Sequence, residues 1–315
     1  MNTRLLRHGL KFAHLQLLAL LAETERLSDA ADALGIAQPA ASRLLSEAER
    51  IVGCPLRLRD GRGIRLTPEG EALARRAARI LTELHDAERE IGEIGSGLSG
   101  DVRIGSVTGP AMERVLPLLR SARHVLPKLR IHVEVANSEV LGEALLDGRM
   151  DLALARPPRG HPAGLFDFTP ICEEPVVLGV RRGHPLLSRA TITYDDLLAH
   201  DWVLPERGTI LHDTVQERLA RLGLPAPEVK VTTSSSLLTL ALVQRSDAIA
   251  PLAVAVAEEF AGEGCAILPI DLGISVAPFG LITRADAALT TGAQKLREML
   301  MQNAAAHEAM RTARG

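Results

Sequence analysis

A short segment near the N-terminus carries polar and cationic side chains at the spacing of one helix face. Gln38, Pro39, Ser42, Arg43 and Ser46 share that face. The Gln38 amide matches the edge of adenine, and Arg43 matches guanine or a phosphate. The helix is predicted to begin at Gln38-Pro39, because the first turn does not use the N–H that proline lacks. Capping by Gln38 is the alternative, but glutamine is a poor N-cap, so the face is interpreted as one that contacts the major groove.

Periodicity predicts the elements that position this face. The opposite side of the same helix is apolar and carries Ala41, Leu44, Leu45, Ala48 and Ile51. Upstream, Phe12 to Ala22 has helical spacing, and Ser28 is a plausible N-cap for a second helix that ends at Gly35. Downstream, Leu56 to Leu66 is rich in arginine around a Gly-containing centre and predicts two short strands joined by a tight turn. This order predicts a winged helix-turn-helix over residues 1–66.

A long helix is predicted next, in the segment 67–100. Thr67 is a possible N-cap, and Pro68 suits the first helical position. Apolar residues then alternate in steps of four and three at Leu73, Ala77, Ile80, Leu84, Ala87, Ile91 and Ile94. That alternation is typical of a coiled-coil seam, so we predict dimerisation through it. The alternative is a helix that packs on its own domain, but the flanks are polar at Glu83, Asp86, Glu88 and Arg89.

The segment from Gly95 to Gly100 reads G-S-G-L-S-G and matches a dinucleotide-binding pattern. We interpret it as a linker, because it ends a helix and precedes a strand, the reverse of the order that nucleotide binding requires. From residue 101 onward, strands alternate with helices, which predicts parallel sheet covered by helices. The domain at 101–315 is expected to form two α/β lobes joined by two crossovers. The first lobe covers about 101–178 and 269–315, and the second covers about 179–268.

Composition excludes several classes of protein. The 315-residue chain has a net charge of -3, but residues 1–66 hold ten Lys and Arg against seven Asp and Glu and are its only net-basic part. No apolar run approaches the roughly 18 residues that cross a bilayer, and no signal-peptide cleavage site follows the N-terminal arginines, so a cytoplasmic location is expected. Cys54, Cys172 and Cys265 have neither disulfide nor zinc-site spacing and are expected to be ordinary buried thiols. Nucleophile, metal-ligand and phosphate-loop motifs are absent, so no catalysis, metal or cofactor is predicted.

A family resemblance is carried by residues along the first 78 positions. They are Ser28-Asp29-Ala30-Ala31, Leu34, Gln38-Pro39-Ala40, Ser42, Glu49, Gly53, Pro55-Leu56, Arg59, Arg62-Gly63 and Leu66-Thr67-Pro68-Glu69-Gly70. This signature resembles that of LysR-type transcriptional regulators, and the rest of the chain is similar to their two-lobed effector domain, of the type 2 periplasmic-binding-protein fold. Ala37, Ala48 and Arg57 depart from the pattern. Arg57 stands where the family usually has Phe and is expected to add a phosphate contact.

The resemblance implies sites for DNA and for a small molecule. The implied DNA-binding residues are Ser28, Gln38, Pro39, Ala40, Ser42, Arg43 and, on the wing, Arg62. The implied effector-binding residues are Ser106, Thr108, Asn137 and Arg156 of the first lobe and Arg207, Thr209, Ser234 and Ser235 of the second. For two of these groups an alternative to effector binding remains open at this point. The serines at 234–236 are then an N-cap cluster, and, independently, Arg156 closes a salt bridge within the domain.

The resemblance also implies partners. The expected partners are double-stranded operator DNA with half-sites about 34 to 36 Å apart, an unidentified small-molecule co-inducer, RNA polymerase and further copies of the chain as a dimer or a dimer of dimers. No membrane partner is expected. One alternative is a solute-binding or enzymatic α/β protein with an incidental helix-turn-helix. Another is a DNA-bending architectural protein that takes no ligand.

Overall fold

The computed structural model describes residues 4–24, 26–60, 63–96, 100–161, 164–262, 264–285 and 287–312. The chain divides into two compact units. The first is Met1–Ser96 with Leu146–Arg149, and the second is Gly97–Leu145 with Met150–Gly315. None of the described helices combines the length and the apolar character that crossing a membrane requires.

The first unit is a winged helix-turn-helix followed by a long helix. Its elements are α1 (Arg4–Arg7), α2 (Phe12–Thr24), α3 (Leu27–Ala33), α4 (Gln38–Val52), β1 (Arg57–Asp60), β2 (Gly63–Leu66) and α5 (Pro68–Ser96). The strands pair antiparallel. Three helices enclose an aliphatic core that includes Leu17, Leu21, Ala30, Ala41 and Leu45.

The ends of these helices follow local rules with one exception. Gly35 and Gly53 have positive φ after α3 and α4, and the Gly70 N–H donates to Thr67 Oγ1 (3.0 Å) at the start of α5. The prediction that Ser28 caps α3 is wrong. The N-cap is Arg26, so the helix begins two residues earlier than a Ser28 cap requires, at Leu27, which is buried in the core. The Ser28 hydroxyl donates to Asp29 Oδ1 instead.

The predicted seam of α5 divides into two parts. Ala77 is fully buried against Leu15 and Ala19 of α2, so this part packs within its own unit, as the alternative interpretation held. Farther along the helix, Ile80, Leu84 and Ile91 are exposed. Thr82, between the first two of these, is buried and donates to the Asp147 carbonyl (2.6 Å), so the exposed apolar residues form a side of α5 that these contacts leave open to a partner.

The second unit contains a seven-stranded sheet and a separate pair of strands. Its strands are β3 (Gly100–Ser106), β4 (Leu129–Val135), β5 (Leu152–Ala155), β6 (Phe166–Arg181), β7 (Trp202–Leu204), β8 (Val229–Thr232), β9 (Ala250–Ala253), β10 (Cys265–Ile267) and β11 (Ile274–Arg284). Its helices are α6 (Thr108–Pro110), a π-helical turn (Ala111–Val115), α7 (Leu116–Val125), α8 (Ser138–Leu146), a 3-10 turn (Pro185–Ser188), α9 (Tyr194–Leu198), α10 (Ile210–Arg221), α11 (Ser236–Arg245), α12 (Val254–Glu259) and α13 (Thr291–Thr312). The order in the seven-stranded sheet is β10-β6-β11-β5-β3-β4, with β9 also paired to β6. Within it β3, β4 and β5 are parallel, and in the separate pair β7 is parallel to β8.

Strand β6 joins the two lobes of this unit. Its first part pairs with β11, and Val176 pairs with both Ile274 of β11 and Ala253 of β9. Beyond Val176 the strand belongs to the sheet and core of the second lobe. The boundary expected at residue 178 thus lies within one continuous strand.

Candidate DNA interface and effector cleft

Helix α4 has a polar edge, which is its predicted DNA-contacting side, and an opposite face that is buried. Gln38 and Arg43 are exposed, whereas Ala41, Leu45 and Ala48 are completely buried. The remaining polar-edge residues are Pro39 and Ser46, which are exposed, and Ala40 and Ser42, which are half-buried. The N-cap of α4 is Ala37, whose side chain makes no capping bond, so Gln38 does not serve as the cap. Its side chain is thereby available for contact with another molecule.

Arg57 anchors the wing to α4. Its Nη2 donates to Ser46 Oγ (2.9 Å), its Nε lies 3.7 Å from Glu49 Oε2, and Glu49 Oε1 accepts from the Leu56 N–H (3.1 Å). Arg57 thus ties the start of β1 to α4 within the chain, and the phosphate contact expected of it stays a prediction. Arg62, the predicted wing contact, lies outside the described residues.

In the first lobe, the predicted effector residues follow strand ends. Ser106 is buried at the end of β3 and donates to the Val107 carbonyl, and Thr108 opens α6. Asn137 is exposed and caps α8, its Oδ1 accepting from the Val140 N–H (2.9 Å). Polar side chains therefore gather at the carboxyl edge of the parallel strands.

Arg156 is committed to contacts within the domain. Its Nε donates to the Ala277 carbonyl (2.6 Å), and its Nη2 forms a 2.7 Å ion pair with Glu174. The backbone N–H of Arg156 donates to Ser138 Oγ (3.2 Å). The alternative that Arg156 closes a salt bridge within the domain is therefore correct. Its partner, Glu174, was not predicted from the sequence as a residue of the effector site. Glu174 packs against Gly109, where an added Cβ would overlap the carboxylate.

In the second lobe, two predicted residues cap helices. Thr209 Oγ1 accepts from the His212 N–H at the start of α10, and Ser235 Oγ accepts from the Leu238 N–H at the start of α11. Arg207 and Ser234 are exposed in the preceding loops. The capping alternative thus holds for Ser235.

Two polar side-chain contacts illustrate how residues of the first lobe meet residues of the second. The hydroxyls of Thr108 and Ser236 lie 3.2 Å apart, and Arg159 Nη1 lies 3.4 Å from Asp213 Oδ2. Ser236 was not predicted as a site residue, although it adjoins Ser235. The domain therefore brings a hydroxyl group of the first lobe against the start of α11 in the second, and the faces of the two lobes that carry these groups form the candidate effector cleft.

A winged helix-turn-helix followed by a two-lobed domain defines the class of ligand-responsive DNA-binding regulators. Residues 12–71 match the model of bacterial regulatory helix-turn-helix proteins of the lysR family, and residues 95–305 match the LysR substrate binding domain. The chain belongs to the LysR family. It is a DNA-binding transcriptional regulator whose activity is modulated by a small molecule bound in the C-terminal domain.

Individual relatives agree with this assignment. The chain is 43% identical to the transcriptional regulator GbpR of Rhizobium radiobacter over 80% of this chain and 84% of that one. It is 31% identical to the transcriptional regulator PcaQ of Agrobacterium fabrum over 88% of this chain and 89% of that one. The crystal structure of the LysR family regulator CbnR has the same fold, with a TM-score of 0.67 at 22% identity over 94% of this chain and 99% of that one.

Proposed function

We propose that α4 reads operator DNA in the major groove through Gln38, Pro39, Ala40, Ser42 and Arg43. The exposure of Gln38 and Arg43 in the first turns of the second helix of a helix-turn-helix carries the proposal, since side chains at that position reach base edges in the major groove. Ser28 and Arg62 complete the proposed set. Of these two, Ser28 is the weaker member, because its hydroxyl already donates within α3.

The effector is proposed to bind between the lobes, beside Ser106, Thr108 and Asn137 on one side and beside Arg207, Thr209, Ser234 and Ser235 on the other. A ligand acts only if it binds one arrangement of the lobes better than another. The Thr108 to Ser236 contact is an element that such a ligand would replace or tighten. Arg156 is proposed to lie at the base of the cleft, where its ion pair with Glu174 holds the guanidinium in place. No catalytic step, metal or cofactor is part of this mechanism.

The chain is proposed to act as a homodimer or a dimer of dimers. Three apolar side chains on α5 are between 47% and 70% exposed, Ile80, Leu84 and Ile91, and a partner helix would bury them. Paired reading helices would require a roughly palindromic operator with half-sites about 34 to 36 Å apart or multiples of that. Contact with RNA polymerase at activated promoters and a cytoplasmic location complete the proposal.

Footprinting of the purified protein on the DNA upstream of its own gene and of the neighbouring gene tests the DNA-binding part. We expect protected half-sites separated by whole helical turns. Protection without any periodicity would favour the architectural alternative.

Thermal denaturation against a panel of small metabolites tests the effector part. We expect stabilisation by a cleft ligand, and loss of that stabilisation in Thr209→Val but not in Thr232→Val, an exposed position on β8. Stabilisation that persists in both variants would place the ligand elsewhere.

A further inference from the structure

Arg114 is a buried arginine with unmet hydrogen-bond donors. The residue is only 5% exposed, and its Nη2 forms an ion pair with Glu113 Oε1 at 2.9 Å. Its Nε and Nη1 are buried and have no hydrogen-bond partner within the described part of the chain. Buried donors without acceptors cost free energy, and a π-helical turn, such as the one that holds Arg114, occurs frequently at functional sites. The Arg114 guanidinium can therefore donate hydrogen bonds to an oxygen atom that is added to a neighbouring group.

Cys172 is the neighbour that can acquire such oxygens. Its Sγ lies 3.7 Å from Arg114 Nη2, and the residue is half-buried on β6. A neighbouring cation favours the thiolate, which is the reactive form of cysteine. The other two cysteines have apolar surroundings: Cys54 packs against the core of the first unit, and burial in the second lobe raises the pKa of Cys265.

We propose that Cys172 is a site of reversible oxidation by peroxides, with Arg114 as the residue that stabilises the thiolate and its product. The sulfur attacks one oxygen of hydrogen peroxide, an S–O bond forms as the O–O bond breaks, and the second oxygen leaves as hydroxide. Sulfur loses two electrons and the peroxide gains them. The sulfenic oxygen then accepts hydrogen bonds from Arg114. The expectation that all three cysteines are buried thiols is wrong, since only Cys265 is buried, whereas Cys54 and Cys172 are half-buried.

The place of Cys172 in the fold links this chemistry to the regulatory domain. Cys172 and Glu174 are two residues apart on β6, so both side chains lie on the same face of the strand. Glu174 holds Arg156, and the same strand continues into the second lobe. Oxidation at Cys172 would thus occur beside the Arg156–Glu174 ion pair.

Trapping of sulfenic acid in the full-length protein tests the proposal. The protein is exposed to dilute hydrogen peroxide with dimedone present, and labelling of each cysteine is followed by peptide mass spectrometry. We expect Cys172 to be labelled about tenfold faster than Cys54 and Cys265. In a separate sample, oxidised without dimedone and treated with a thiol reductant before dimedone is added, Cys172 should remain unlabelled. Equal labelling of the three cysteines overturns the proposal.

Variants of the arginine separate its charge from its packing. Arg114→Gln is expected to slow labelling of Cys172 about tenfold, and Arg114→Lys is expected to retain part of the rate, because the cation remains. Cys265 is buried in the same unit as Arg114, and labelling of Cys265 that stays as slow as in the wild type shows that this unit is folded in the variant. An unchanged rate at Cys172 in folded Arg114→Gln overturns the role of Arg114. Should that variant not fold, Glu113→Gln removes the competing carboxylate and is expected to accelerate labelling, whereas a slower rate contradicts the proposal.

Discussion

Arg156 Nη2 lies 2.7 Å from Glu174 Oε2, and only 8% and 13% of the two side chains are exposed. The pair joins the end of β5 to β6, and Arg156 also reaches the Ala277 carbonyl of β11. The buried guanidinium of Arg156 therefore connects three strands, β5, β6 and β11. An ion pair in such surroundings is a fixed part of the domain, since neither charge is solvated by bulk water.

Removal of one partner should destabilise the domain strongly. We expect Glu174→Ala to lower the free energy of unfolding by about 3–5 kcal/mol, because it leaves the Arg156 charge buried without its partner. Urea denaturation measures the change. Arg130→Ala, which breaks the exposed pair with Asp101, is the control and should change stability little. Equal losses in the two variants would contradict the burial argument.

Loss of the exposed arginine on α4 should weaken specific binding. We expect Arg43→Ala to reduce operator affinity by about 1–3 kcal/mol without unfolding the protein, if this side chain reads a base. Gel-shift titration on specific and scrambled DNA measures the effect. Arg75→Ala removes the same charge from an exposed position on α5 and is the matched control. A footprint and affinity equal to wild type would remove Arg43 from the reading residues.

A charge in the exposed part of the α5 seam should disrupt the oligomer. Leu84 is 48% exposed in the single chain, and its replacement in Leu84→Lys would place an ammonium group in a helix pair. We expect dissociation in analytical ultracentrifugation. The control is Glu88→Lys, an exposed residue on the polar flank. Sedimentation identical to wild type would exclude pairing through this seam.

Acidic pH should destabilise the second lobe through His184. This ring is almost fully buried, its Nδ1 accepts from the Leu186 N–H (3.2 Å), and its Nε2 lies 3.2 Å from the Asp247 carbonyl. Burial lowers the pKa of His184 below the usual 6.5, and nearby His200 lowers it further. The unfolded chain therefore takes up a proton at a higher pH than the folded chain does, so stability is complete above pH 6.5 and falls as the pH drops below it.

Urea midpoints between pH 5 and pH 8 measure this dependence. His184→Gln should flatten the curve, because the group that titrates has been removed. His8→Gln removes an exposed histidine and is the control. A curve of wild-type shape in His184→Gln would show that other groups cause the acid sensitivity.

Local patterns were sufficient to predict much of the first unit. The bounds of α4 could be inferred because the apolar stripe, the proline and Gly53 all lie within a 16-residue window. The family signature lies in the same region and identified the winged helix-turn-helix. Its implied function also agreed with the family that the chain matches.

The second unit depended on contacts that are distant in sequence. The strand at 166–175 was not predicted, because Pro170 and Pro175 interrupt its pattern, yet pairing with β11 about a hundred residues later makes it a strand. Ser236 could not be linked to Thr108, since 128 residues separate them.

The sequence by itself determined that the chain carries an amphipathic reading helix, a long apolar seam and an alternating α/β domain, because these depend on spacings of three to seven residues. The tertiary structure alone decided which charges are paired, which serines cap helices and which part of the seam is already covered. Those outcomes depend on side chains that meet only after the chain has folded, and no local periodicity encodes them.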